Sequence, residues 1–253
     1  MGEFLMNLND VTVIVPTKNE RENIKPFLRS IPDNLKLIVV DASEDDTRDL
    51  IKRLRPKNTR VIYDPGNIPE ARQRGADEAR TEWLLFTDAD VVFGDDYFSE
   101  LISLELADQD GAVVGRKTSR GRYNFYYRFF ALWLRTICFL GFPAGTGSNM
   151  LVKRSALYEA GGFDLDLTCN EDSMLTWCIH RCGYRVPYAD NIRVYETDHR
   201  RLERGLIKKS LHSIFRCIIL FSGFFTRQLR ANDWGYWSGE DYTAGETGRD
   251  RYE

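Results

Sequence analysis

Short apolar runs and stretches of helical period alternate along the first half of the chain. Val11-Thr12-Val13-Ile14-Val15 is β-branched and stops at Pro16, which reads as a buried strand. Thr17-Lys18-Asn19-Glu20 follows, and Ile24, Phe27 and Leu28 then recur at helical spacing, with Thr17 or Asn19 as the expected cap. Leu37 to Val40 predicts a second strand ending in Asp41, and Ser43 to Thr47 an acidic turn. A helix from about Thr47 to Leu54 is stopped by Pro56, and Val61-Ile62-Tyr63 is a third strand. Asn67 to Arg80 reads as a helix whose small residues Ala71, Gly75 and Ala79 recur every four positions, so that one face can approach a neighbour closely. Trp83 to Phe86 is a fourth strand, Asp95 to Leu106 a helix and Ala112 to Gly115 a strand. This β-α-β-α-β-α-β order predicts an α/β fold with a Rossmann-like, mostly parallel central sheet flanked by helices.

The second half is patterned differently. Gly145-Thr146-Gly147-Ser148-Asn149 is a turn before the apolar Met150-Leu151-Val152. A helix begun near Ser155 ends at Gly161-Gly162, as a helix C-cap does. Asn170-Glu171-Asp172 opens a helix through Met174, Leu175, Trp177, Cys178 and Ile179. Tyr123 to Leu140 is rich in aromatics, but Arg128 and Arg135, on one helical face, argue against a membrane span. Arg200 to Arg230 is basic, with Leu206, Ile207, Leu211, Ile214, Phe215, Ile218 and Ile219 at helical intervals, and Lys208, Lys209 and Arg216 on another side. Such a helix can lie among lipid headgroups, or pack a solvated basic face on the protein. From Asp233 the tail is acidic and glycine-rich.

Length and composition fit one large α/β domain with an appendage. The expected division is 1–200 as the main domain, in two halves that meet at about 115/116, then 201–253 as basic amphipathic helix and acidic tail. A net charge of -3 gives no indication of a nucleic-acid partner. Five cysteines and no opening signal peptide point to a reducing, cytoplasmic setting, with the basic helix suggesting peripheral contact on the cytoplasmic membrane face. Cys178 and Cys182, with Cys169 nearby, fit no standard zinc spacing and are expected to be buried core cysteines.

The chemistry concentrates in Asp88-Ala89-Asp90. Ligands of open α/β sheets sit outside the carboxyl ends of the strands. Two carboxylates there are hard oxygen ligands for Mg²⁺ or Mn²⁺, and a divalent ion can stabilise a diphosphate as a leaving group. A solvated acidic turn is the other reading of so short a motif.

The successive blocks Pro16-Thr17-Lys18-Asn19-Glu20, Val39-Val40-Asp41 with Ser43 and Thr47, Ala71-Arg72-Gln73-Arg74-Gly75, Asp88-Ala89-Asp90, Gly147 to Arg154, Gly161-Gly162-Phe163-Asp164 and Glu171-Asp172 resemble inverting family 2 glycosyltransferases over roughly residues 11 to 200. Each block is weak; their order and spacing are specific. Gln73 stands where an Asn is common.

The resemblance implies a GT-A fold and a metal-dependent transfer of one sugar from a nucleotide-diphospho-sugar to an acceptor hydroxyl. By it, Pro16, Thr17, Asn19, Glu20, Asp41, Arg72, Asp88 and Ala89 would line the nucleotide. Asp90, with Asp88 and His199, would hold Mg²⁺ or Mn²⁺. Asp172 would be the catalytic base, supported by Glu171, with Gly147, Ser148 and Glu171 facing the acceptor. A UDP-sugar is the favoured donor, with a GDP-sugar as the alternative. The acceptor is expected to be a lipid-linked or membrane-proximal saccharide. A dolichyl-phosphate sugar synthase is the nearest alternative, although a phosphate acceptor needs no base and Val91-Val92 departs from that group. A phosphatase-like hydrolase and a non-catalytic, membrane-adhering sugar-nucleotide module are the readings from other classes.

Overall fold

The computed structural model describes residues 6–121, 123–167, 170–197 and 215. Its centre is one sheet of eight strands in the order β3-β2-β1-β4-β7-β6-β8-β5. The strands are β1 (Val11–Thr17), β2 (Lys36–Asp41), β3 (Thr59–Tyr63), β4 (Trp83–Phe86), β5 (Val91–Phe93), β6 (Ala112–Thr118), β7 (Met150–Lys153) and β8 (Tyr188–Glu196). The helices are α1 (Ile24–Arg29), α2 (Thr47–Leu54), α3 (Ile68–Glu78), α4 (Tyr97–Ile102), α5 (Asn124–Phe139), α6 (Arg154–Glu159) and α7 (Glu171–Arg181).

The β3-β2-β1-β4 half is parallel throughout, as the alternating pattern predicts. Strands β1, β2 and β4 are buried on both faces, while β3 at the edge is partly exposed. Val11, Val13 and Val15 join α1, α2 and α4 in one core, while Ile14 faces α3, α6 and α7 in the other. That two-sided burial explains why these segments read as continuous apolar runs. Pro16 does not end β1 but lies within it, paired in register with Val40. The carbonyl of Ile14 accepts from the N–H of Thr87 on the β4 side. Two residues on, the Pro16 nitrogen points to the same side, where β4 has already ended at Phe86, so no ladder bond is lost.

The other half is mixed. β7 is antiparallel to β4 and β6, β8 is parallel to β6, and β5 is antiparallel to β8. β7 is therefore interior, paired on both sides. Residues 91–93, which resume apolar character after the aspartates, cross to the far edge of the sheet. The helix expected over 95–106 is confined to α4, because beyond its cap at Ser103 the chain turns to bury Leu106 in the core.

Gly75 bears out the close-packing expectation: a Cβ there would overlap Cγ2 of Ile14. Neither expected cap of α1 holds. Thr17 is the last residue of β1, and Asn19 adopts a left-handed conformation at φ 55°. The described cysteines are also not buried core residues. Cys138 and Cys178 are half-buried and Cys182 is exposed, because Cys182 is the C-cap of α7, past its packed face. Among the described residues, no helix is long and apolar enough to cross a membrane. His199, the basic stretch apart from Phe215, the acidic tail, Cys169 and Cys217 lie outside the described residues.

Candidate active site

The site forms where β1, β2 and β4 end together, at the carboxyl edge of the parallel half. At the tip of β2, Asp41 is fully buried. Its Oδ1 accepts from the hydroxyls of Thr17 (2.7 Å) and Ser43 (2.6 Å), and its Oδ2 from Nε of Arg48 (2.9 Å). Asp41 thus ties β1 to β2, and Ser43 in turn accepts from the Asn19 N–H at 2.8 Å. The Asn19 side chain accepts from the N–H of Glu44 at 3.0 Å. Pro16, Thr17, Asn19 and Asp41 are therefore assembled on one wall. Arg48, which the motif reading missed, completes it, with its guanidinium 4.4 Å above the Tyr63 ring. Glu20 accepts from Asn23 at 2.8 Å on the same loop.

Arg72 is the centre of the site. It sits in the first half of α3, whose start is fixed by a reciprocal cap between Asn67 and Glu70. Its side chain is buried, donates to Asp88 Oδ1 at 2.8 Å, and pairs with Glu171. One guanidinium therefore joins the strand-end aspartate to the α7 carboxylates. Those carboxylates and Asp88 hold the Arg72 proton more firmly than usual, against the opposing effect of burial. A Cβ on Gly147 would overlap the Arg72 guanidinium, and a Cβ on Gly145 would lie 2.6 Å from the Asp172 carbonyl oxygen. The close approach these glycines allow is used by the protein's own Arg72 and Asp172.

Glu171 and Asp172 open α7, as expected, where the helix dipole favours negative charge. Asp172 accepts from the N–H of Gly147 and of Ser173, both at 2.6 Å. Burial raises the pKa of both carboxyls, Glu171 to about 7, while Arg72 opposes the rise. Ser148 is buried, and its carbonyl accepts from Thr87 at 3.0 Å. Asn149 is a structural clamp: its side chain accepts from Tyr97 at 2.6 Å and donates to the carbonyls of Arg116 and Ile192 at 3.0 Å each.

Ala89 is buried in the turn after β4, and Asp90 follows it. The Asp90 carbonyl is held by the N–H and hydroxyl of Thr197, at 2.9 and 2.6 Å. Its Oδ1 is buried and has no hydrogen-bond partner. Burial, then the charge of Asp88, raise its pKa to about 7. An orphaned buried carboxylate oxygen beside a second aspartate suits a hard divalent cation in its donor chemistry. Among the described residues, no three His, Cys, Asp or Glu side chains stand grouped as a preformed metal cage. A cavity of about 710 Å³ lies elsewhere, between the C-terminal half of α5, His180 and the start of β8. The site is an acid-lined strand edge.

Known proteins share this architecture. A mannosyltransferase from Pyrobaculum calidifontis, solved with GDP-Man and Mn²⁺, superposes with a TM-score of 0.66 at 25% identity, over 83% of this chain and 64% of its own. Staphylococcus aureus TarS 1-349, solved with UDP-GlcNAc, has the same fold at a TM-score of 0.61 and 16% identity, over 94% of this chain and 76% of its own. In sequence, the chain is 25% identical over 206 residues to the succinoglycan biosynthesis protein ExoA of Rhizobium meliloti, covering 70% of this chain and 60% of ExoA. It is also 25% identical over 199 residues to a poly-beta-1,6-N-acetyl-D-glucosamine synthase of Staphylococcus aureus, covering 72% of this chain. The chain spans only 48% of that synthase's length. The model of glycosyl transferase family 2 matches residues 12–160, from β1 through the Gly145–Asn149 turn to the end of α6. With its GT-A-like mixed sheet and its strand-end aspartates, the chain belongs to glycosyl transferase family 2.

Proposed function

We propose that this chain is a metal-dependent, inverting glycosyltransferase that moves one sugar from a nucleotide-diphospho-sugar to an acceptor hydroxyl. The observation that carries this reading is the salt-bridge chain Asp88–Arg72–Glu171, next to Asp172, which sets a strand-end aspartate and a buried basic group on either side of one guanidinium. Proton transfer and leaving-group departure need two such separate stations.

In the reaction, Asp172 takes the proton of the acceptor hydroxyl as that oxygen bonds to the anomeric carbon. The bond from that carbon to the diphosphate oxygen breaks on the opposite face, so the anomeric configuration inverts and a nucleoside diphosphate leaves. The N–H groups of Gly147 and Ser173 hold the Asp172 carboxylate in place for this. Glu171, pinned by Arg72, orients the acceptor. The wall of Pro16, Thr17, Asn19, Glu20 and Asp41 takes the nucleoside, and Asp88 and Ala89 its ribose and phosphate side. Asp90, with Asp88, would hold Mg²⁺ or Mn²⁺, which supplies positive charge to the departing diphosphate. His199 remains the proposed third ligand.

A UDP- or GDP-sugar fits this reading; the Pyrobaculum mannosyltransferase was solved with GDP-Man and Mn²⁺. A saccharide acceptor is supported by the polysaccharide named for the Staphylococcus synthase. Peripheral membrane contact is part of the proposal, because α5 exposes Phe125, Phe129, Leu132 and Phe139 on its outer face. The test is a thermal-shift screen of UDP-, GDP- and dTDP-sugars with and without Mn²⁺, followed by NMR of the product's anomeric configuration. A Mn²⁺-dependent rise in melting temperature with one donor, and an inverted product, are expected. Turnover of phosphate esters with no sugar transfer would overturn the reading.

A further inference from the structure

Lys117 belongs to none of the motif blocks, yet its side chain is largely buried against a carboxylate. It lies on β6, just after the irregularity between Gly115 and Arg116 that the Asn149 side chain fills. Its Nζ is 3.1 Å from Oε2 of Glu196, and the two side chains are only 15% and 4% exposed. The Tyr127 hydroxyl donates to the same Glu196 carboxylate. Glu196 is in turn paired across the sheet with Val91, the residue after Asp90. The charges of Glu196, Asp90 and Asp88 hold the Lys117 proton more firmly than usual, against the opposing effect of burial. It is also the cation that acts on Asp90.

A buried lysine–glutamate pair adds little stability over an apolar pair of the same volume, so packing alone does not account for it. The charge balance of the site does. A diphosphate that approaches Asp88 and Asp90 meets like charge. One divalent ion offsets the two aspartates and leaves the phosphates only partly compensated. Arg72 is already committed to Asp88 and Glu171.

We propose that Lys117 is a protein-borne cation of the donor site that contacts the donor's diphosphate beside the divalent ion, with Glu196 and Tyr127 holding its ammonium in readiness. This inference rests on the nucleotide-diphospho-sugar reading and adds a phosphate-binding residue to it. On donor binding, the ammonium exchanges part of its contact with Glu196 for a phosphate oxygen, a charge-assisted hydrogen bond of comparable strength. Glu196 keeps the Tyr127 hydroxyl as partner.

Calorimetry with UDP, GDP and their parent nucleosides, in Mn²⁺ and in EDTA, tests this on the full chain. Mn²⁺-loaded wild type is measured first: binding of neither diphosphate would remove the donor reading itself. Given binding, Lys117→Met should weaken the diphosphate at least tenfold in Mn²⁺ and leave nucleoside affinity unchanged, while Lys117→Arg stays near wild type. Unchanged diphosphate affinity in Lys117→Met, or equal loss of nucleoside and diphosphate, would overturn the proposal. If Lys117→Met shows no cooperative melt, wild type in EDTA decides. Diphosphate binding tighter than nucleoside supports a protein-borne cation, and binding no tighter than nucleoside rejects it.

Discussion

The two halves of the sheet solve the same problem by different means. The β3-β2-β1-β4 half is held by apolar strands packed between helices, and its polar residues are concentrated at strand ends. The half containing β5 to β8 is held as much by buried polar contacts. Asn149 links Tyr97 to the backbones of β6 and β8, and Lys117, Glu196 and Tyr127 form a second knot. Regular parallel pairing needs no side-chain clamp; a bulged, mixed sheet has irregular backbone groups that side chains must satisfy. On the proposed reading, the regular half carries the nucleoside wall, the clamped half carries the proton-transfer carboxylates and Lys117, and Arg72 is the joint between them.

The strongest way to break that division is Asp172→Asn. Loss of a positioned general base should lower kcat roughly a hundredfold to ten-thousandfold, with Mn²⁺-dependent donor affinity retained. In wild type, the acid limb of kcat/KM should lie above the ordinary aspartate value of 3.8, since burial raises the Asp172 pKa. An unchanged kcat in the variant would move the base elsewhere.

Removing the joint comes next. Arg72→Met leaves Glu171 and Asp88 without their shared cation. Breaking a buried pair in this way should cost about 3–5 kcal/mol of stability in chemical denaturation. A loss below roughly 1 kcal/mol would show that the halves are not coupled through this side chain.

The smallest expected effect is on pH dependence, and it probes each half separately. Glu171 and Asp90 titrate in the folded protein at about 7, above their ordinary 4.5 and 3.8. The folded chain therefore binds more protons than the unfolded chain between those values, and stability falls as pH rises through that window. Metal-free melting temperatures should decline from about pH 4 to pH 7. Glu171→Gln and Asp90→Asn should each flatten part of the decline. A flat wild-type profile would contradict the burial of both groups.

Much of the fold was legible because its parallel half obeys local rules. Strands buried on both faces announce themselves as apolar runs, and Asn67, Pro69 and Glu70 mark the start of α3 wherever it packs. Asp41, Arg72, Asp88, Glu171 and Asp172 stood out because charged residues at strand ends and helix starts interrupt that pattern. Three-residue β5 carries too little pattern to reveal that it crosses to the far edge of the sheet. Lys117 and Glu196 fall outside every motif block that the sequence offers. Their pairing depends on the register between β6 and β8, which a bulge shifts.

The sequence by itself determined the α/β class and the four parallel strands, which follow from periodicity, and the family, which its ordered motif blocks resemble. Only the tertiary structure decided that Arg72 spans Asp88 and Glu171, that the glycines at 145 and 147 make room for Asp172 and Arg72, and that Asp90 keeps a buried oxygen unpartnered. Those contacts join residues up to 99 positions apart, and burial and charge pairing across such separations arise only when the sheet closes.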